Sequence, residues 1–468
     1  MRTRAAKAWP ILASLVVPGP NTCGQRAVIA EFCRSHSGDP LARIMWFLAA
    51  KAAAPPVTHG SALGRGPLAR SARRLAKDLV QFARSDRADF RSAGDVLLVV
   101  ESENQRRVLE PIARELGREI TPASARVGWR EQRRLTARAV ALCRALDAEL
   151  RAAQAPLPLA EQAWYALARD AAHAFGYARA LLATGRWTSA AIGSTHGPVA
   201  RALAIAAREV GIPSIYVPHA PVLSDAEIVD LPVDYAALRG PGEVEHYASF
   251  GVEPQRLAVA GDPSIARAPE LPVLRPDGTA VFAPSPDPAD CLSQMIALIK
   301  EATSETITVS PHPRSDLRSL RAISPASWTF WPRRTIELLE QGPPVVLQHS
   351  SGVALEALQL GIPVVELSCE SGDPVYPFIR EPHVTKVVTP DELRAALDGA
   401  RSATASARDA LVQWAGHWVA RTGAEAAARV AGLLRHARSA GPGETPIWDA
   451  WSSPVRSARG PEVGNQRL

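Results

Sequence analysis

Short apolar runs alternating with helix-periodic stretches constrain this chain more than any other feature. Three runs lie in the first half, at 95–100, 190–193 and 212–217, and four in the second, at 281–283, 306–309, 344–347 and 362–367. Runs this short and continuous read as strands buried on both faces. Strands that alternate with helices imply parallel sheets with helices packed on either side. A Pro-rich segment at 263–276 divides the two sets and reads as an interdomain linker. At 468 residues the chain also exceeds the usual size of a single core. The expected fold class is therefore α/β, with two Rossmann-like domains facing a cleft. The expected boundaries are a mostly helical N-terminal extension over 1–90, a first domain over 91–265, a second over 278–440, and a disordered tail rich in Gly, Pro, Ser and Arg over 441–468.

In open parallel sheets, ligands sit at the carboxyl ends of the strands. The loops of interest all follow expected strands: 101–104, 194–198, 218–221, 310–316 and 349–352. The most informative stretch is 347–366. Its apolar strand ends at a turn of Ser350, Ser351 and Gly352, and a helix with an apolar face of Val353, Leu355, Ala357, Leu358 and Leu360 follows. Gly361 stops that helix before the next buried strand. The turn is expected to place free N–H groups of Ser351, Gly352 and Val353 at a helix N-terminus, which favours a phosphate. Glu356 lies about one turn in, within reach of sugar hydroxyls beside that phosphate.

A second loop carries Ser310, Pro311, His312, Pro313 and Arg314. The prolines stiffen it. Exposed there, His312 can donate to a phosphate oxygen, and Arg314 can add a charge-assisted bond. No Walker loop or GxGxxG is present, and no Asp-x-Asp follows a strand, so a metal site is not indicated. Asp287 and Asp290 read as initiators of the next helix.

Composition excludes some classes. The chain is 47% hydrophobic and 21% charged, as in an ordinary globular protein. The net charge is +6, and only five of the 53 basic residues are lysine. The arginines are scattered along helices and interleaved with acids, so nucleic acid is not an expected partner. The five cysteines form no CxxC pair, which argues against a disulfide framework or structural zinc and fits a reducing cytoplasm. No apolar run reaches spanning length. Arg2, Arg4 and Lys7 precede an apolar stretch at 8–17, but Pro10 and Pro18 spoil it as a signal peptide. The Arg-rich amphipathic segment at 68–90 reads as a solvated helix packed on the domain. Its alternative is a membrane-surface helix, which would mean peripheral contact with the inner membrane.

The His-Pro loop followed by the Ser-Ser turn and helix resembles the GT-B glycosyltransferases with HP motifs, among them bacterial sialyl-, polysialyl- and Kdo transferases of capsule synthesis. The resemblance implies that His312, Ser350 and Ser351 hold the nucleotide phosphate. The 351–365 portion also looks like the nucleotide site of UDP-sugar GT-B enzymes and UDP-GlcNAc 2-epimerases, where the matching Glu holds the ribose. Residues 194–219, 239–243 and 250–263 resemble the acceptor side and hinge approach of surface-polysaccharide enzymes. The acidic Asp/Glu-Asp/Glu-Gly motif that supplies a base in several bacterial sialyltransferases is missing. The epimerases' paired acidic residues are not evident either.

The resemblance implies a glycosyltransferase that moves a sugar from a CMP- or UDP-linked donor to a glycan or lipid-linked acceptor. No metal or other cofactor is expected, and closure about residues 262–278 would exclude water. Such transfer needs a base for the acceptor hydroxyl. His196 is the first candidate, with His219, Glu101 and Glu103 as alternatives. Glu243 reads as a helix cap or an acceptor ligand. The alternatives are an epimerase-like enzyme, a CDP-polyol phosphotransferase, or an inactive GT-B scaffold in capsule assembly.

Overall fold

A computed structural model describes residues 90–439, apart from 158–160, 196, 223–230, 250–251, 266–270, 286–288, 314 and 369–375, and parts of 28–45. The expected helix at 68–90, the tail at 441–468, His196 and Arg314 therefore lie outside the described residues, save Phe90.

The first sheet has seven strands: β1 (Phe90–Ala93), β2 (Val96–Val99), β3 (Thr121–Pro122), β4 (Ser189–Ile192), β5 (Ser214–Tyr216), β6 (Tyr235–Leu238) and β7 (Leu257–Val259), in the order β3-β1-β2-β4-β5-β6-β7. From β2 to β7 all pairings are parallel, while β1 pairs antiparallel with both β2 and β3. Alternate residues of each strand face opposite layers. Leu97 and Val99 pack with the helices Trp129–Ala152, Glu161–Leu182 and Pro198–Glu209, together with Ile29, Phe32, Leu41 and Ile44. Leu98 and Val100 face a second layer with Val108, Ile112, Val430 and Leu434.

The second sheet has six strands, all parallel: β8 (Val281–Ala283), β9 (Thr308–Val309), β10 (Thr329–Phe330), β11 (Val346–Gln348), β12 (Val364–Leu367) and β13 (Val384–Val387). Their order, β10-β9-β8-β11-β12-β13, is the 3-2-1-4-5-6 arrangement of the Rossmann fold. The strand order reverses between β8 and β11. Phe282, Leu347 and Val365 pack on the layer that holds Met295, Leu320 and Leu393, while Val281, Val346 and Val364 face Leu339, Leu355 and Trp418.

The chain thus forms two Rossmann-like α/β domains, as its strand rhythm predicts, in the layout expected for GT-B. One element departs from the expected division. The closing helix Gly423–Ser439 crosses back from the second domain and lies on the first sheet beside the helix Glu103–Glu115. The crossing passes close to the first domain. Ala420 donates to the Arg239 carbonyl at 3.0 Å, and Asp262 donates to the Arg421 carbonyl at 2.8 Å. Gly240 permits this approach, because a Cβ there would fall 2.4 Å from the Trp418 carbonyl carbon.

The cysteine reading needs a correction. Among the described residues Cys143 is free and buried, and Cys291 is disulfide-bonded. One bond is not the disulfide framework that the spacing argues against, but a reducing compartment does not favour it. No helix among the described residues is long and apolar enough to cross a membrane.

Candidate nucleotide site at the switch point of the second sheet

The strand order reverses between β8 and β11, and the carboxyl ends of the strands at such a switch point are where open α/β sheets hold ligands. The Ser350–Gly352 turn stands on one side of it and the β8 loop on the other, bridged by a 3.2 Å hydrogen bond from Ser285 Oγ to the Ser350 carbonyl. His312 follows β9, the strand on the far side of β8. Its loop is held by bonds from the Ser315 N–H to the His312 carbonyl, 2.8 Å, and between the hydroxyls of Ser310 and Thr335, 2.9 Å. His312 is half-buried. Two strand spacings, about 10 Å, separate its strand from β11, so the two motifs flank the switch point.

The turn is fixed from beneath by polar groups. Glu366 on β12 is almost fully buried, and its carboxylate accepts from the Ser350 N–H at 2.9 Å and from the Gln348 side-chain amide. Gln348, also buried, accepts from the Ser351 N–H at 2.6 Å. The His349 ring places Nδ1 2.9 Å from the Leu367 carbonyl, so Nδ1 carries the proton. Ser350 adopts φ +42°, a left-handed conformation that non-glycine residues hold only when their surroundings impose it. Here Glu366 imposes it.

This scaffold corrects the expected set of phosphate donors. The Ser351 N–H is taken by Gln348, and the Val353 N–H is turned to the Ser351 hydroxyl at 3.4 Å. Of the three amides expected to be free, that of Gly352 has no such acceptor among the described residues. The helix Val353–Gln359 is short, and its first-turn acid is Glu356.

Glu356 is half-buried, yet protein crowds its carboxyl. Burial pushes its pKa from 4.5 up to about 7; Arg334 and Arg239 act against this, and Asp262 adds to it. A carboxyl poised near neutrality is typical of functional sites. It also costs stability, because the unfolded chain ionises near 4.5 while the folded one resists until about 7. Stability therefore falls as pH rises through that window, and the deficit is complete above it. Glu356→Gln should raise stability at pH 8 by about 1–2 kcal/mol after allowance for solvent screening, and leave it unchanged at pH 4. Urea unfolding at the two pH values measures this, and equal effects at both would contradict it.

The first domain meets this site through the loop after β5. Pro221 lies 3.4 Å from the position a Cβ would take on Gly352, and the Tyr376 hydroxyl lies 3.8 Å from it. On that same loop His219 Nδ1 bonds to the Gly193 carbonyl, which fixes the proton on Nδ1 and leaves Nε2 as the basic nitrogen. Glu101 follows β2, and its carboxylate oxygens lie 2.9 and 3.0 Å from a Cβ position on Gly197, the residue after His196. Glu101 and His219 thus border the 193–197 loop at adjacent strand ends. Glu103 opens the next helix and forms surface pairs with Arg106 and Arg107, away from this convergence. Glu243 is fully buried and accepts from the Arg239 and Val222 N–H groups, so its role is to fix these loops.

Sequence reasoning missed Glu366, Gln348 and Arg334. An acid inside an otherwise apolar strand, as in Val364, Val365, Glu366 and Leu367, is the signal that could have identified the first. Among the described residues, no group of three or more His, Cys, Asp and Glu is arranged to hold a metal ion.

No family model matches this chain, and a comparison with curated proteins finds no match. Among solved structures it is similar to UDP-GlcNAc 2-epimerase from Methanocaldococcus jannaschii in complex with UDP-GlcNAc and UDP, at 14% identity and TM-score 0.40, over 61% of this chain and 87% of that one. It is similar to S. aureus MnaA in a co-structure with UDP at 13% identity and TM-score 0.43, over 71% and 93%. The glycotransferase of kitacinnamycin gives 18% identity and TM-score 0.41, over 63% and 89%. At these TM-scores the likeness carries no argument, and the reading of the site rests on its residues.

Proposed function

We propose that this chain is a GT-B nucleotide-sugar enzyme, a glycosyltransferase that takes a sugar from a CMP- or UDP-linked donor to a glycan or lipid-linked acceptor. The observation that supports it most is the coincidence of the β8/β11 switch point with the Ser350–Gly352 turn and Glu356. In this reading His312, Arg314, Arg334 and the Gly352 N–H face the diphosphate or phosphate, and ionised Glu356 accepts from the ribose hydroxyls. Ser350 and Ser351 shape the turn with their backbones engaged, and in this reading they border the ligand's phosphate.

The acceptor lies on the first domain. Its hydroxyl must lose a proton as the sugar–phosphate bond breaks, and positive groups must meet the charge that develops on the leaving phosphate. His219, with Nε2 as the basic nitrogen, and His196, with the Glu101 carboxylate beside its neighbour Gly197, are the candidate bases.

Calorimetry with CMP, UDP and CDP tests the donor half: one should bind, and binding of none would sink this reading. His312→Ala should weaken the bound nucleotide by about 10- to 100-fold, the worth of a charge-assisted bond to phosphate. Unchanged affinity would remove His312 from the site. Incubation with the matching nucleotide sugar then separates transfer from epimerisation of the donor.

A further inference from the structure

The helix Trp129–Ala152 of the first domain buries one face and leaves the other to solvent. Its exposed charges are six arginines, Arg130, Arg133, Arg134, Arg138, Arg144 and Arg151, and one acid, Glu149. Three of the arginines are paired: Arg134 with Glu131 at 2.9 Å, Arg138 with Asp39 at 2.8 Å and Arg151 with Asp147 at 2.8 Å. Arg130, Arg133 and Arg144 have no carboxylate partner among the described residues. Arg133 stands one turn beyond Arg130 and Arg144 about four, so the three fall on one stripe within about 60° of arc. Exposed Ala137, Ala141 and Ala148 fill the same stripe. In sequence these arginines are interleaved with acids; the fold separates them, because Glu131 and Asp147 are half-buried to one side.

Two aromatic residues bracket the face. Trp129, 52% exposed, starts the helix, and the Arg133 guanidinium lies 6.0 Å from the centre of its ring. Tyr165, 45% exposed, stands beside the far half, where Cys143 Sγ donates to the Trp164 carbonyl at 3.5 Å. Among the described residues no other Phe, Tyr or Trp is exposed.

The sheet sets where this helix begins. β1 is antiparallel to both of its neighbours, so β3 runs in the sense of β2. The Ala123 N–H donates to the carbonyl of Phe90, the partner of Val99, so the chain leaves β3 level with the end of β2. Tyr177 packs on Phe90 and bonds to Ala123 and Ala125, which holds the loop there, and Gly176 beside it adjoins Val127 and Gln132. Trp129 and Arg130 therefore stand on the edge of the first sheet that carries Glu101 and the 193–197 loop.

We propose that this face docks on an anionic lipid surface. Its use, to bring a lipid-linked acceptor to the first-domain side of the cleft, rests on the proposed function; the docking itself does not. Arginines without a carboxylate partner break no ion pair when they meet lipid phosphates, which they can bond bidentately. The alanines let the helix lie close, and Trp and Tyr suit the headgroup level, apolar on one side and wet on the other. A single-stranded nucleic acid fits less well. Its sites carry aromatics that successive bases stack on, whereas here the two aromatics stand about 20 Å apart along the helix. The segment at 68–90, read from sequence as an alternative membrane helix, takes no part in this face.

Flotation of the full chain with vesicles tests the proposal. The protein should float with phosphatidylcholine and phosphatidylglycerol mixed three to one, and stay in solution with phosphatidylcholine alone. Joint replacement Arg130→Gln, Arg133→Gln and Arg144→Gln should weaken binding about 100-fold, since each basic residue near such a surface is worth about a factor of five. Glutamine at these exposed positions keeps the helix, so folding is spared. The same exchange at Arg318, Arg321 and Arg394, exposed on the second domain, should change binding little. Equal losses in the two triple variants would reduce the attraction to net charge and overturn the face, as would vesicle binding that ignores the first triple. Binding of a single-stranded oligonucleotide that the first triple abolishes, with no binding of vesicles, would assign the face to nucleic acid and overturn the lipid reading. Calorimetry keeps this inference apart from the donor site, because the first triple should bind UDP or CMP as the wild type does. Vesicle binding without nucleotide binding would sink the nucleotide site and leave the face standing. Nucleotide binding without vesicle binding would do the reverse.

Discussion

Glu243→Ala should destabilise the protein by about 3–5 kcal/mol, the cost of leaving a buried charge without its partner. The Glu243 carboxylate is the acceptor for Arg239 Nε, for the Arg239 N–H at 2.9 Å and for the Val222 N–H at 3.3 Å. Its removal strands a guanidinium and two amides in a region closed to water. Urea unfolding measures the loss, and a change under about 1 kcal/mol would show that water reaches these groups. A double replacement of Glu243 and Arg239 by apolar residues of similar volume should recover much of the loss, since buried ion pairs contribute little net stability against such residues.

Glu366→Ala should cost about 3 kcal/mol and abolish nucleotide binding together. The carboxylate holds the Ser350 N–H and the Gln348 amide, and each buried donor left unsatisfied costs about 1–3 kcal/mol. Without it the Ser350 N–H loses its acceptor, φ +42° loses its main support, and the turn between β11 and its helix relaxes. Ser350→Gly in the same background should restore part of the stability, because glycine adopts that φ without strain. A nucleotide affinity equal to wild type in Glu366→Ala would show that the turn plays no part in the site.

Much of the fold is legible because the strands are apolar and short. The runs at 95–100, 190–193, 212–217, 281–283, 306–309, 344–347 and 362–367 correspond to β2, β4, β5, β8, β9, β11 and β12. β1, β3, β10 and β13 escape this reading since they sit toward the sheet edges, where exposed and polar residues break the apolar pattern, and β6 and β7 escape it because their alanine-containing segments are too short to stand out as apolar runs. The helix Gly423–Ser439 is legible as a helix with a buried face. Its partner is not, because periodicity tells which face is covered and not by what. The candidate site divides the same way. His312, Gly352 and Glu356 come from loops whose place after strands is readable in sequence. The occupied N–H groups of Ser351 and Val353 depend on Gln348 and on hydroxyl geometry, which no spacing reveals. Arg239 and Glu243 stand four apart and suggest a pair, whereas Asp262 joins them only because β6 and β7 end side by side.

The return of the last helix has a bearing on biosynthesis. A nascent chain emerges from its N-terminus, and the first sheet's strands are complete once Val259 has been made. Leu98, Val108, Ile112 and Ile215 must then wait for Val430 and Leu434 to cover them. Throughout synthesis of the second domain the first therefore carries an open apolar face, the kind of surface that chaperones retain and that aggregates seed from. Ribosomes stalled anywhere before residue 423 should hold a first domain that stays sensitive to protease, however long they are left.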